Sequence, residues 1–205
     1  MSRGAACRDS ALTGAAMEDG GKAMIHDTHI RMAALEDAAE IYAIYEPYIL
    51  HTTVTFEYDR IPIEDFKKRM EGITKKYPWL VYEEDGEILG YAYASNFHTR
   101  AAYAWDSELS IYLKGTSKGK GIGTALYRDL LEILKKQGIY TVYAYISMPN
   151  PESVAFHEKF GFEVDGLHKN TGYKFKRWLD LLLLSKTLRS CEGKPEQVKT
   201  VWEVI

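Results

Sequence analysis

The chain has 205 residues, 46% hydrophobic and 27% charged, with a formal net charge of −3. That length suits one domain with a full core and is marginal for two, and the slight acidic excess argues against general nucleic-acid binding. No apolar run reaches the roughly 20 residues of a membrane span, and the two cysteines, Cys7 and Cys191, lie outside any metal-type spacing.

Residues 1–28 mix Arg3, Arg8, Asp9, Glu18 and Asp19 with small side chains and lack an apolar stretch of signal-peptide type. They are expected to form a disordered extension. A reducing, cytoplasmic setting follows as the default, and no metal is expected. The folded domain is expected over 29–189, with 190–205 as a polar tail.

His29 to Met32 reads as a short strand. The stripe Leu35, Ala38, Ile41, Tyr42, Tyr45 and Ile49 then predicts a helix that Pro47 should end or kink. Thr52 to Glu57 is rich in β-branched and aromatic residues and predicts extended chain. Pro62 opens a second helix with Ile63, Phe66, Met70 and Ile73 on one face. Trp79–Glu83 and Ile88–Ala94 form two strands around Asp85-Gly86, a hairpin signal. Asp106 to Leu113 is a strand whose alternation puts Glu108, Ser110 and Tyr112 on one face.

A helix with Ile122, Leu126, Leu130, Ile133 and Leu134 inward follows, capped at Gly138. Thr141–Ile146 is the next strand. Asn150 caps a short helix that starts at Pro151 and closes at Gly161. Phe175 to Leu184 is expected to be the last strand. The order gives a mixed α/β (α+β) fold, an antiparallel half joined to a parallel crossover.

Between the Glu108 strand and the following helix lies Lys114-Gly115-Thr116-Ser117-Lys118-Gly119-Lys120-Gly121-Ile122-Gly123-Thr124. Glycines let a backbone approach a ligand closely, and a helix start offers free N–H groups with partial positive charge. Together they suit a phosphate or pyrophosphate. The segment matches neither the P-loop nor the dinucleotide fingerprint.

With Lys118-Gly119-Lys120-Gly121-Ile122-Gly123 the chain resembles the GNAT N-acetyltransferase superfamily, whose signature here is Gln/Arg-x-x-Gly-x-Gly/Ala. Lys118 replaces the usual first residue. The resemblance is closer to the phosphinothricin N-acetyltransferase branch and covers about Ile30 to Leu188. It is carried by Tyr77-Pro78-Trp79-Leu80-Val81, Arg100-Ala101-Ala102-Tyr103-Ala104-Trp105 and Glu108. It continues with Pro149-Asn150-Pro151-Glu152-Ser153, His157-Glu158-Lys159-Phe160-Gly161-Phe162, Gly172-Tyr173-Lys174 and Trp178-Leu179-Asp180.

The resemblance implies the GNAT acyl-CoA N-acyltransferase fold, a central mixed sheet flanked by helices, with acetyl-CoA as acetyl donor. It implies that Ile111, Tyr112 and Leu113 hold the pantetheine arm through their backbone. Lys118, Gly119, Lys120, Gly121, Ile122, Gly123 and Thr124 would hold the pyrophosphate, and Asn150 would contact the cofactor near its arm. Glu108 would be the general base, since an ammonium has no lone pair for attack on a thioester. His157 stands where many relatives carry a tyrosine acid, with proton transfer, substrate contact or both as its role. Arg100, Tyr103 and Tyr173 would bind the substrate, although an ordinary loop arginine and packing aromatics read equally well.

The expected activity is N-acetylation, by direct attack, of a small amino-acid-like amine such as phosphinothricin, methionine sulfoximine or methionine sulfone. A cysteine acetyl-enzyme is not expected, because both cysteines are near the termini. The alternatives are another acceptor (polyamine, antibiotic or protein N-terminus) or a non-catalytic CoA-binding sensor. Similar proteins are homodimers, so a homodimer is expected.

Overall fold

The structure, a computed structural model, describes Ile25, Asp27 and residues 29–205, so the expected N-terminal extension lies almost wholly outside the described residues. The elements are β1 (Ile30–Met32), α1 (Ala38–His51), α2 (Ile63–Thr74), β2 (Trp79–Glu84), β3 (Glu87–Asn96), β4 (Asp106–Leu113), α3 (Ile122–Gln137), β5 (Thr141–Ser147), α4 (Pro151–Lys159), β6 (Glu163–Lys174) and β7 (Arg177–Thr187). The strands make one seven-stranded sheet in the order β1-β2-β3-β4-β5-β7-β6. Every neighbouring pair is antiparallel except β4–β5, whose strands are joined through α3.

Alternation along the strands sorts side chains onto two faces. Leu80, Ala92 and Ala94 pack with Leu126, Leu130 and Ile133 of α3. Trp79, Val81 and Tyr91 pack with Ile41, Ile49, Phe66 and Met70 of α1 and α2. The Asp85-Gly86 turn has positive φ at both residues (52° and 79°), as its sequence predicts. Gly138 closes α3 in the left-handed region, and Asn150 caps α4.

The structure sharpens or corrects four expectations. Pro47 does not end α1, which runs on to His51; buried Ile44 and Tyr45 before it and Ile49 after it hold both halves against the sheet. Residues 52–57 form no strand. Thr52 Oγ1 accepts from the Val54 amide and donates to the Tyr48 carbonyl, so local side-chain bonds replace a ladder. The last strand is a hairpin: β6 and β7 meet at Phe175 and Lys176, whose φ values of 49° and 61° turn the chain without a glycine. Residues 190–205 are anchored rather than merely polar. Val201 and Val204 are buried in the α3 core, and the Val201 amide donates to the Lys76 carbonyl. A small shift also occurs at α2, where Pro62 precedes the first helical residue as its cap.

Candidate active site

The site begins where β4 and β5 part. Their parallel register runs only through Asp106–Thr141, Ser107–Val142 and Glu108–Tyr143. Past Glu108 the two strands no longer pair, and a cavity of about 320 Å³ opens between them. Glu108, Ser110 and Tyr112 of β4 line it, with Tyr145 and Ser147 of β5 opposite. An adjoining groove of about 260 Å³ runs over Leu113, Lys118, Gly119, Gly123 and Phe156. Val54, Ile111, Asn150 and Ser153 border both, so the two spaces form one cleft. Backbone groups on the open side of β4 there have no strand partner, and the Leu113 carbonyl accepts instead from the Tyr48 hydroxyl at 2.6 Å.

The glycine turn borders the groove. Gly119 and Gly121 have φ of 78° and 83°, a region L side chains avoid, and no atom lies within 4 Å of where a Cβ would stand. Gly121 caps α3 and accepts from the Ala125 amide at 3.0 Å. The amides of Ile122, Gly123 and Thr124 in the first turn have no acceptor inside the helix. Lys118 reaches Glu152 of α4 at 3.6 Å, while Lys114 pairs with Glu87. The hydroxyls of Ser117 and Ser147 are buried without a hydrogen-bond partner. An open glycine cradle, a strand edge without a pairing strand and the orphaned Ser147 hydroxyl on the cavity wall fit a diphosphate-bearing, amide-bearing thioester such as acetyl-CoA.

Glu108 is half-buried, and burial raises its carboxyl above the ordinary value. The shift is that of a carboxylate out of bulk water without a compensating cation. His157, 4% exposed, also faces the cavity. Its Nδ1 lies 2.7 Å from the Ser153 carbonyl, which can only accept, so Nδ1 carries the proton. Its Nε2 lies 2.9 Å from the Tyr127 hydroxyl, which therefore donates. Burial lowers the His157 pKa and favours this neutral form. The Asn150 side chain accepts from the Ser153 amide at 3.2 Å, so capping α4 occupies its carbonyl oxygen.

Glu108, Ile111, Tyr112, Leu113, Lys118, Gly119, Gly123, Asn150 and His157 thus gather on one cleft. Three of the expected substrate contacts do not. Arg100 and Tyr103 line a separate hollow with Asn96, Phe97, His98 and Thr99. A strip of rings joins that hollow to the cavity, for Phe97 stacks on Tyr143 at 4.0 Å and faces Tyr145 at 6.2 Å. Tyr173 lies on β6, 47% exposed, with its ring against Trp178. Sequence reasoning missed Tyr127, Ser147 and the 54–56 wall. Tyr127 adjoins Leu126 on the buried stripe of α3, and a wider stripe would have included it.

Residues 30–183 match the acetyltransferase (GNAT) domain family. A phosphinothricin N-acetyltransferase from Streptomyces viridochromogenes is 35% identical over 152 residues, covering 74% of this chain and 83% of the relative. An L-methionine sulfoximine/L-methionine sulfone acetyltransferase from Pseudomonas paraeruginosa is 30% identical over 168 residues, covering 81% and 98%. The crystal structure of a GNAT superfamily phosphinothricin acetyltransferase from Sinorhizobium meliloti in complex with acetyl-CoA superposes with a TM-score of 0.79 at 36% identity, covering 82% of this chain and 92% of that one. With the parted strands and glycine cradle, these matches establish that the chain belongs to the GNAT family and is an acetyl-CoA-dependent N-acetyltransferase.

Proposed function

We propose that the protein acetylates the primary amine of a small amino-acid-like substrate of the phosphinothricin, methionine sulfoximine or methionine sulfone type. The observation that carries this reading is the placement of Glu108, a half-buried carboxylate of raised pKa, at the point where β4 and β5 separate. The diphosphate rests on the amides from Gly119 to Thr124, with Lys118 and Lys120 nearby. The pantetheine arm runs along the unpaired edge of Ile111, Tyr112 and Leu113 and passes Asn150. The thioester then points into the cavity beside Glu108.

Glu108 takes a proton from the ammonium, directly or through water. The freed amine attacks the thioester carbon, the N–C bond forms and the C–S bond breaks. The thiolate leaves and takes up the proton that the attacking nitrogen sheds, giving the amide and CoA. Both ring nitrogens of His157 are engaged, which supports substrate contact as its part, with neutral imidazole forming a cavity wall. Arg100 lines a separate hollow beyond the Phe97–Tyr145 rings, so the acceptor's acidic end is not assigned to it within the cleft. Tyr173 meets exposed Trp178 on the β6–β7 hairpin, whose Val164, Leu167 and Phe175 are also exposed, and this apolar surface supports a homodimer rather than contact between Tyr173 and substrate in the same subunit.

The test is an acetyl-CoA-dependent thiol-release screen over amino acids and their sulfone, sulfoximine and phosphinate analogues, beside polyamines and a peptide N-terminus. Fastest turnover on the analogues is expected. Preference for a polyamine or a peptide would overturn the acceptor assignment. Cofactor binding with no transfer to any amine would favour a sensor.

A further inference from the structure

A lysine buried in the β6–β7 hairpin holds one wall of the cavity. That wall is the irregular stretch containing Val54, Thr55 and Phe56. It belongs to no strand, so its position must be fixed by other contacts. Lys174 is 2% exposed, and its ammonium donates to the Ile49 and Thr55 carbonyls at 2.8 Å each. The Ile49 carbonyl lies in the last turn of α1, where carbonyls lack helical partners and the dipole favours a cation. Thr55 is held again by its hydroxyl, 2.8 Å from the buried Tyr45 hydroxyl.

Two residues earlier on β6, Gly172 supplies a second fastening. A Cβ there would stand 2.5 Å from the Phe56 ring, so that ring packs on the bare glycine backbone. Gly172 has no left-handed φ, and the requirement for glycine is therefore one of space. Burial of a lysine is costly unless its charge is met. Here two carbonyls and the nearby Glu57 carboxylate meet it.

We propose that Lys174 is a positioning residue that staples the 52–57 segment between α1 and β6 and so fixes the acceptor side of the cavity. The inference rests on the acceptor reading above. It adds that acceptor geometry is set from the hairpin, by a residue that lines no part of the cleft. Of the stapled segment only Val54 also borders the cofactor groove, whose other walls come from Tyr48, β4, the glycine turn, α3 and α4, so acetyl-CoA binding depends on the staple less.

The experiment compares Lys174→Met, Lys174→Arg and Gly172→Ala with the wild type by steady-state kinetics and amide hydrogen exchange. Lys174→Met should lower kcat/KM for the acceptor about 10- to 100-fold, as expected for a displaced substrate wall. The KM for acetyl-CoA should change clearly less than kcat/KM for the acceptor, because Val54 is the only residue of the segment that borders the groove. Exchange in 52–57 should speed up. Lys174→Arg should recover part of the loss, and Gly172→Ala should reproduce its direction. An unchanged acceptor KM and kcat, or unchanged exchange in 52–57, in folded Lys174→Met would overturn the proposal. Should Lys174→Met not fold, the arginine and Gly172→Ala variants decide by the same readings. If the wild type acetylates none of the acceptor panel, the acceptor reading fails; hydrogen exchange then still decides whether the staple exists.

Discussion

Replacing Glu108 with glutamine separates chemistry from folding. The side chain is half-buried, and burial alone raises its pKa; among the described residues no cation is paired with it. A raised native pKa means that ionisation opposes folding: stability is fully present below the unfolded value and is lost as pH rises through the native one. Glutamine removes that penalty while keeping the shape, so Glu108→Gln should be at least as stable as the wild type at neutral pH. Loss of a general base costs roughly 10²- to 10⁴-fold in rate. That equals about 2.7–5.4 kcal/mol of barrier. The assay is kcat/KM for the amine from pH 5 to about pH 10, with urea unfolding and acetyl-CoA calorimetry in parallel. The wild type should rise with pH along a limb set above the ordinary carboxylate range. The variant should lack that limb, regain rate only as the free amine deprotonates, and bind acetyl-CoA normally. A variant within twofold of the wild type at neutral pH, or one that loses stability along with activity, would refute this reasoning.

Four further outcomes follow from the same structure. Tyr127→Phe leaves the buried Nε2 of His157 without a donor and should cost about 1–3 kcal/mol, read by thermal melting. Because the native His157 pKa is lowered, its stability contribution is present above the ordinary 6.5 and lost as pH falls through the native value; His157→Asn should flatten that acid-side loss in urea titrations. Gly121→Ala places a side chain at φ of 83° and should cost about 1–2 kcal/mol while weakening acetyl-CoA binding in calorimetry. Truncation after Leu188 removes buried Val201 and Val204; at about 1.5–3 kcal/mol for each side chain, the urea midpoint should fall clearly, and an unchanged midpoint would remove the tail from the core.

Much of the fold was legible where local chemistry and tertiary structure agree. Asp85-Gly86 specifies its turn, Asn150-Pro151 its helix start, and the stripe of α3 its buried face. The β6 strand was hidden because Asp165, His168, Lys169 and Asn170 break apolar alternation on an edge strand exposed over most of its length. Its turn at Phe175-Lys176 carries no glycine or asparagine to announce it. Pro47 does not stop α1, because burial on both sides outweighs the lost hydrogen bond. In the site, the glycine turn was legible from its spacing between strand and helix, whereas Glu108 was singled out by the family resemblance, alternation giving only its face of β4. Lys174 was not, since a strand lysine reads as surface until the α1 terminus is seen to cover it.

The central claim is that acetyl-CoA lies between the parted ends of β4 and β5, and a crystal structure of the protein with the cofactor tests it most directly. The account predicts the diphosphate on the amides from Gly119 to Thr124, with the thioester beside Glu108. Cofactor bound elsewhere, or with its thioester directed away from Glu108, would contradict it.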